Sequence, residues 1–200
     1  MFAVTPLVQA LPCGRGIETF LMTLVLLSAL LAVSGRRWTI WGVALAIPAI
    51  SGRVLNHFCP DVVPLPLFHV AALAFLGYVI GHLLRFILKA PRVDHEVLCG
   101  SIAMYLMMGL LWTMAYVMLN QFDPGALAFA APGQKMESFN AFYFSFVTLS
   151  TVGYGDITPI SRGARMLAVM ESVTGMLYVA VLVARLVLIY SAAPAKSVDN

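Results

Sequence analysis

Five stretches of this chain stay apolar over the length that a bilayer demands. The hydrocarbon core is about 30 Å thick, and a helix crosses it with about 20 mostly apolar residues. The stretches run from Ile17 to Val33, Trp38 to Phe58, Leu67 to Leu88, Val97 to Leu119 and Gly163 to Tyr190. Backbone polar groups find no water at that depth, so each stretch is expected to be a helix. A soluble globule is excluded by composition. Of the 200 residues 61% are apolar and only 10% charged, against about 25% charged in soluble domains. The expected fold class is an all-α integral membrane protein, multi-pass, with the lipid bilayer as its surroundings.

The second stretch is the weakest. Pro48 should kink it, and Ser51-Gly52-Arg53 interrupt its apolar run. The first reads as a retained helix rather than a cleaved signal peptide, because Glu18 opens it and no A-x-A site precedes Arg36-Arg37. Between the last two stretches, Asn120 to Glu137 holds Pro124-Gly125 and Pro132-Gly133, which mark turns. Phe139 to Leu149 is apolar but too short to cross, so it is expected to be re-entrant, with Ser138 as its N-cap.

Chemistry concentrates at the end of that short segment. Thr151-Val152-Gly153-Tyr154-Gly155-Asp156 follows it directly, and a spanning helix follows in turn. This hexapeptide, in this setting, resembles the pore of potassium channels, and Thr151 to Gly155 match the family's selectivity-filter pentapeptide letter for letter. The physics is specific. A cation that sheds its water must be offered oxygens, and backbone carbonyls supply them without side-chain charge. Aiming successive carbonyls at one axis needs alternating ordinary and left-handed backbone, which Gly153 and Gly155 adopt at little cost. Thr151 adds a hydroxyl oxygen, while Val152 and Tyr154 point away from the axis. The C-terminal end of the short helix turns its partial negative charge toward a cation.

The resemblance implies K+ as the transported ion, bound by the selectivity filter Thr151, Val152, Gly153, Tyr154 and Gly155 mainly through main-chain oxygens, with K+ sites at Thr151, Val152, Gly153 and Tyr154, and with no organic cofactor. Asp156, Tyr143, Phe144 and Ser150 are expected to support the filter, and Phe142 is a further aromatic candidate for bracing Tyr154. One chain carries one filter segment, so a closed ring implies a homotetramer around a central pore. Gly175, midway along the last helix, is read in two ways: as a gating hinge, as in the family, or as a site of close helix packing. The implied division is an N-terminal region of about three spans of unrecognised type (1–94), a pore domain of outer helix, pore helix, filter and inner helix (95–191) and a short cytoplasmic tail (192–200).

In the family the filter loop lies on the extracytoplasmic side. The N-terminus is then outside and the C-terminus cytoplasmic, in a plasma or bacterial inner membrane. Arg36, Arg37, Arg85, Lys89, Arg92 and Lys196 fall inside, as cytoplasmic loops prefer. Arg15, Arg53, Lys135, Arg162 and Arg165 fall on or near the outside. Arg85, Lys89 and Arg92 cluster at one end of their span, which reads as snorkelling rather than as a voltage sensor.

Glu171 lies two turns into the last helix, where a carboxylate is expensive. Either it tunes the filter or senses pH as part of gating, or it pairs statically with pore-helix hydroxyls such as Ser145 or Thr148. Arg185 either snorkels to the interface or rings the inner pore mouth. His57, Cys59, Asp61 and His69 match no standard metal spacing. Cys13 and Cys59 share one side of the membrane, where a disulfide is open to them. No G-x-S-x-G or H-E-x-x-H motif occurs, so an enzyme is not expected. A net charge of +3 gives no reason to expect nucleic acid, and no soluble ligand-binding domain is evident. The expected function is passive, potassium-selective conduction. The alternatives are a non-conducting or modulatory channel subunit and the membrane subunit of a potassium uptake system.

Overall fold

A computed structural model describes residue 47 and residues 65–90, 94–131 and 133–191. The two expected spans nearest the N-terminus lie outside the described residues, apart from Ile47, which is helical. So do Cys13, His57, Cys59, Asp61, Arg92 and the tail from 192 onward. The described chain is helical, with three helices long and apolar enough to cross a membrane.

Helix α1 runs Leu65–Lys89. Its stop is written in the sequence: Lys89 complements the helix C-terminus, and Pro91 disfavours helix at the residue before it. Ala72, Phe75, Leu76 and Val79 are buried at helical spacing, and the last three form one cluster with Met114 of the next helix. Helix α2 runs His95–Phe122. At about 1.5 Å per residue its 28 residues exceed the hydrocarbon thickness. Asp94 opens it in extended backbone and Asp123 closes it, just before Pro124-Gly125.

The segment between α2 and the short helix that follows is not turn alone. Strand β1, Leu127–Phe129, pairs antiparallel with β2, Ile157–Pro159, in the register Leu127 to Pro159 and Phe129 to Ile157. Ala130 N–H donates to the Asp156 carbonyl at 2.8 Å and Ile160 N–H to the Ala126 carbonyl at 2.8 Å, continuing the ribbon at both ends. This ribbon bridges the loop before the short helix to the loop after it.

Helix α3, Ser138–Leu149, spans 12 residues, about 18 Å of rise, and ends in the body of the helix group. Its N-cap is Glu137, not Ser138, and no side chain caps it. The start lies one residue earlier than expected because the Glu137 carbonyl already accepts the first helical bond, from Ala141 N–H at 3.0 Å. The Asn140 amide, donating to the Lys135 carbonyl at 2.6 Å, ties down the approach. Helix α4, Arg162–Ser191, follows a Ser161 whose hydroxyl accepts from Ala164 N–H at 3.2 Å. Its inward residues are Ala164, Ala168, Glu171, Gly175, Tyr178, Leu182 and Arg185, alternating four and three apart. That 3.5-residue period is the spacing of a helix seam. The core gathers α2, α3 and the ribbon, with Trp112, Tyr116, Leu127, Phe144, Leu149 and Ile157 in contact.

Candidate ion-conduction site

The end of α3 hands the chain to residues 151–155, the segment read from sequence as a filter, through its own carbonyls. The N–H groups of Thr151 and Val152 donate to the carbonyls of Thr148 and Val147 at 2.9 and 3.0 Å, and Gly153 N–H reaches Val147 at 3.4 Å. The Ser150 hydroxyl donates to the Phe146 carbonyl at 2.6 Å. The helix C-terminus is thus satisfied by the residues that follow it, and their amides are turned back toward the helix. Among the described residues, none donates a hydrogen bond to the carbonyls of Thr151 to Gly155.

Backbone conformation alternates along the segment. Thr151, Gly153 and Gly155 have φ of 60°, 58° and 79°, and the residues between them do not share that sign. Positive φ was expected at the two glycines. At Thr151 it is the one case among the described non-glycine residues, and for a β-branched side chain it is strained. The segment is uncovered within one chain: Val152 is 53% and Tyr154 71% exposed.

The expected supporting residues separate into two groups. Tyr143 stacks on Tyr154, ring centroids 6.4 Å apart and planes within 7°. A side-chain hydrogen bond with Asp156 raises the Tyr143 phenol above its ordinary pKa, so Tyr143, Tyr154 and Asp156 form one cluster beside the filter. Asp156 also accepts from Ile157 N–H at 3.1 Å, joining the cluster to the ribbon. Phe144 and Phe142 face elsewhere. Phe144 meets Tyr116 edge to face at 4.8 Å, and Phe142 meets Phe146 at 4.4 Å. Three consecutive aromatics on a helix point in different directions, so only one of them reaches Tyr154.

On the far side of α3, Glu171 is fully buried, and the hydroxyls of Tyr116 and Ser145 each lie 2.6 Å from one of its carboxyl oxygens. Of the two hydroxyls considered from sequence, Ser145 meets it. Tyr116, 55 positions away on α2, had no sequence signal. At Gly175 an added Cβ would overlap the Leu149 carbonyl oxygen, so α4 passes directly against the end of α3 there. That contact is the packing reading of the glycine. Arg185 donates to the Ala90 carbonyl at 2.9 Å, which joins the far end of α4 to the end of α1. Among the described residues, no group of His, Cys, Asp and Glu is placed to hold a metal ion, and Cys99 is a free thiol.

Comparison with known proteins places this geometry. The family described as "Ion channel" matches residues 97–191. Potassium channel protein kcv of Paramecium bursaria Chlorella virus 1 is 36% identical over 63 residues, 30% of this chain and 67% of the viral protein. Protein LctB of Bacillus caldotenax is 33% identical over 127 residues, 57% of this chain and 93% of that protein.

This chain belongs to the potassium channel family.

A third relative, the voltage-gated potassium channel Kch of Escherichia coli (strain K12), is 50% identical over 42 residues, 20% of this chain. The chain spans only 10% of the length of Kch, so the resemblance there is local. Membership of the family accounts for the arrangement of a short helix, a segment of alternating backbone after it, and two long helices around them.

Proposed function

We propose that this protein is a potassium-selective channel that conducts K+ passively through a pore built by four copies of the chain. The observation that carries the reading is the alternation of positive φ at Thr151, Gly153 and Gly155, combined with amides tied back to α3. Together they leave the carbonyls of Thr151, Val152, Gly153 and Tyr154 to face a common axis and replace the hydration shell of K+. Thr151 adds its hydroxyl. Asp156, Tyr143 and Ser150 hold the segment in place, and Phe144 acts at one remove by packing α3 on α2. The exposure of Val152 and Tyr154, and of Met166, Val169, Met176 and Leu177 on α4, supports burial against further copies and lipid.

In this reading the pore domain is 95–191, preceded by a 1–94 region that brings the spans to five and followed by a 192–200 cytoplasmic tail. The filter loop faces outward, with the N-terminus outside as well. Glu171 and Gly175 act on gating by fixing how α4 lies against α3.

The test is a reversal potential. The chain alone, reconstituted in liposomes under opposed K+ and Na+ gradients, should reverse near the potassium value, and Gly153→Ala should abolish that selectivity. A non-selective current, or none at any voltage in protein shown to be folded and assembled, would count against the proposal.

A further inference from the structure

Four polar side chains are fully or nearly fully buried among the described residues: Ser101, Thr113, Ser145 and Glu171. Ser101 and Thr113 are locally satisfied, each donating to the carbonyl four residues back on α2, at 2.7 Å. Ser145 and Glu171 instead bond between helices. The Ser145 hydroxyl lies 2.6 Å from Glu171 Oε1 and 2.8 Å from the Gly109 carbonyl of α2, and the Tyr116 hydroxyl lies 2.6 Å from Glu171 Oε2. One acid on α4 is thereby linked to α3 and twice, directly and through Ser145, to α2.

The protons in this network can be counted. It contains three short oxygen–oxygen contacts, and each needs a proton between its oxygens. Tyr116 and Ser145 bring one hydroxyl proton each, and the Gly109 carbonyl brings none. The Tyr116 proton can only serve Glu171. The Ser145 proton can lie along the line to Glu171 or to Gly109 but not along both, and the Gly109 oxygen already accepts from the Thr113 hydroxyl at 2.7 Å. An ionised Glu171 would therefore leave these two short contacts to share one proton, with at least one of them bent and weak. A third proton, carried on Oε1, completes the set. The acid then donates to Ser145, Ser145 donates to Gly109, and Tyr116 donates to the acid's carbonyl oxygen Oε2. Among the described residues no cation pairs with Glu171, and burying an unpaired carboxylate costs far more than burying a neutral acid.

We propose that Glu171 is a neutral carboxylic acid that donates its own proton to Ser145, and that through this bond it is the positioning residue that sets the pore helix α3 against α2 and α4. The geometry gives the consequence. Ser145 stands six residues before the Thr151 that opens the filter, so the acid fixes the height at which the filter segment begins. The protonated acid rests on the structure of the single chain. Its effect on selectivity rests on the channel reading above.

Infrared difference spectroscopy of the full chain in lipid separates the two. At neutral pH the wild type should show the carbonyl stretch of a protonated carboxylic acid that Glu171→Gln lacks. In Tyr116→Phe the band should move to higher frequency, because the carbonyl oxygen loses its donor. Should Glu171→Gln fail to fold, the Tyr116→Phe shift alone decides. Absence of the band, or a band unmoved in Tyr116→Phe, would overturn the proposal whether or not the protein conducts. The positioning role is read from rescue. A glutamine amide both donates and accepts, so Glu171→Gln should keep the K+/Na+ permeability ratio. Glu171→Ala should lower it by about tenfold, in line with a buried donor and acceptor left unpaired. Equal loss in both variants would overturn that role, whereas the band present in a wild type that carries no selective current would remove the channel reading and leave the neutral acid standing.

Discussion

Thr151 is held at a φ of 60°, where a β-branched side chain crowds its own backbone. Such a conformation costs of order 1–3 kcal/mol and persists only where the surroundings impose it. Here the N–H bond to the Thr148 carbonyl and the neighbouring bond from Val152 do so. Thr151→Gly should therefore leave the melting temperature unchanged or raise it, while K+ selectivity falls with the lost hydroxyl. A lower melting temperature would show that Thr151 is not strained. Gly153 presents the opposite case. Its φ of 58° suits glycine, and Gly153→Ala should destabilise the fold by about 1–2 kcal/mol in thermal unfolding. The glycines could be read in advance because their lack of a side chain is itself the signal. Thr151 could not, because nothing in a threonine announces a left-handed backbone.

At the scale of elements, two glycines mark where helices touch, and they differ in what they touch. A Cβ at Gly175 would meet the Leu149 carbonyl, which is backbone, whereas a Cβ at Gly109 would meet the ring of Phe146, which can turn. Gly175→Ala should accordingly cost about 1–3 kcal/mol in thermal unfolding. Gly109→Ala should cost less, and Phe146→Leu in the same chain should recover most of it. The third contact is Arg185 with Ala90, at the end of α1. Arg185→Leu should speed hydrogen exchange in the last turn of α1, where Ala90 N–H bonds to the Phe86 carbonyl, and leave exchange in α3 unchanged. The long helices and the short one were legible, since hydrophobic length and period survive any packing. The β1–β2 ribbon was not. Strands of three residues are too short to show alternation, and their pairing joins positions 30 residues apart, Leu127 with Pro159 being two more.

For the whole molecule, the exposure left by one chain sets the expectations. Tyr154 is 71% exposed and only 11% of the apolar window of the final span is buried, surface that the proposed assembly and the lipid would cover. Native mass measurement in mild detergent should find four copies. If the assembled carbonyls hold K+, the ion stabilises the tetramer by mass action, by about 2.7 kcal/mol at a hundredfold excess over its dissociation constant. Exchange of K+ for Na+ should then lower the temperature at which the tetramer dissociates, and Gly153→Ala should remove the difference between the two ions. The sequence by itself determined the helical membrane class, the three described spans, the potassium channel family and the positive φ at Gly153 and Gly155. Each follows from the local identity of residues: apolar length, glycine spacing, a six-residue motif. The tertiary structure alone decided which aromatic of the same chain reaches Tyr154, that Gly175 admits the end of α3, and that Tyr116, Ser145 and Glu171 meet. Those depend on the rotation and depth of one helix against another, set by contacts between residues far apart in the chain, which no local pattern encodes.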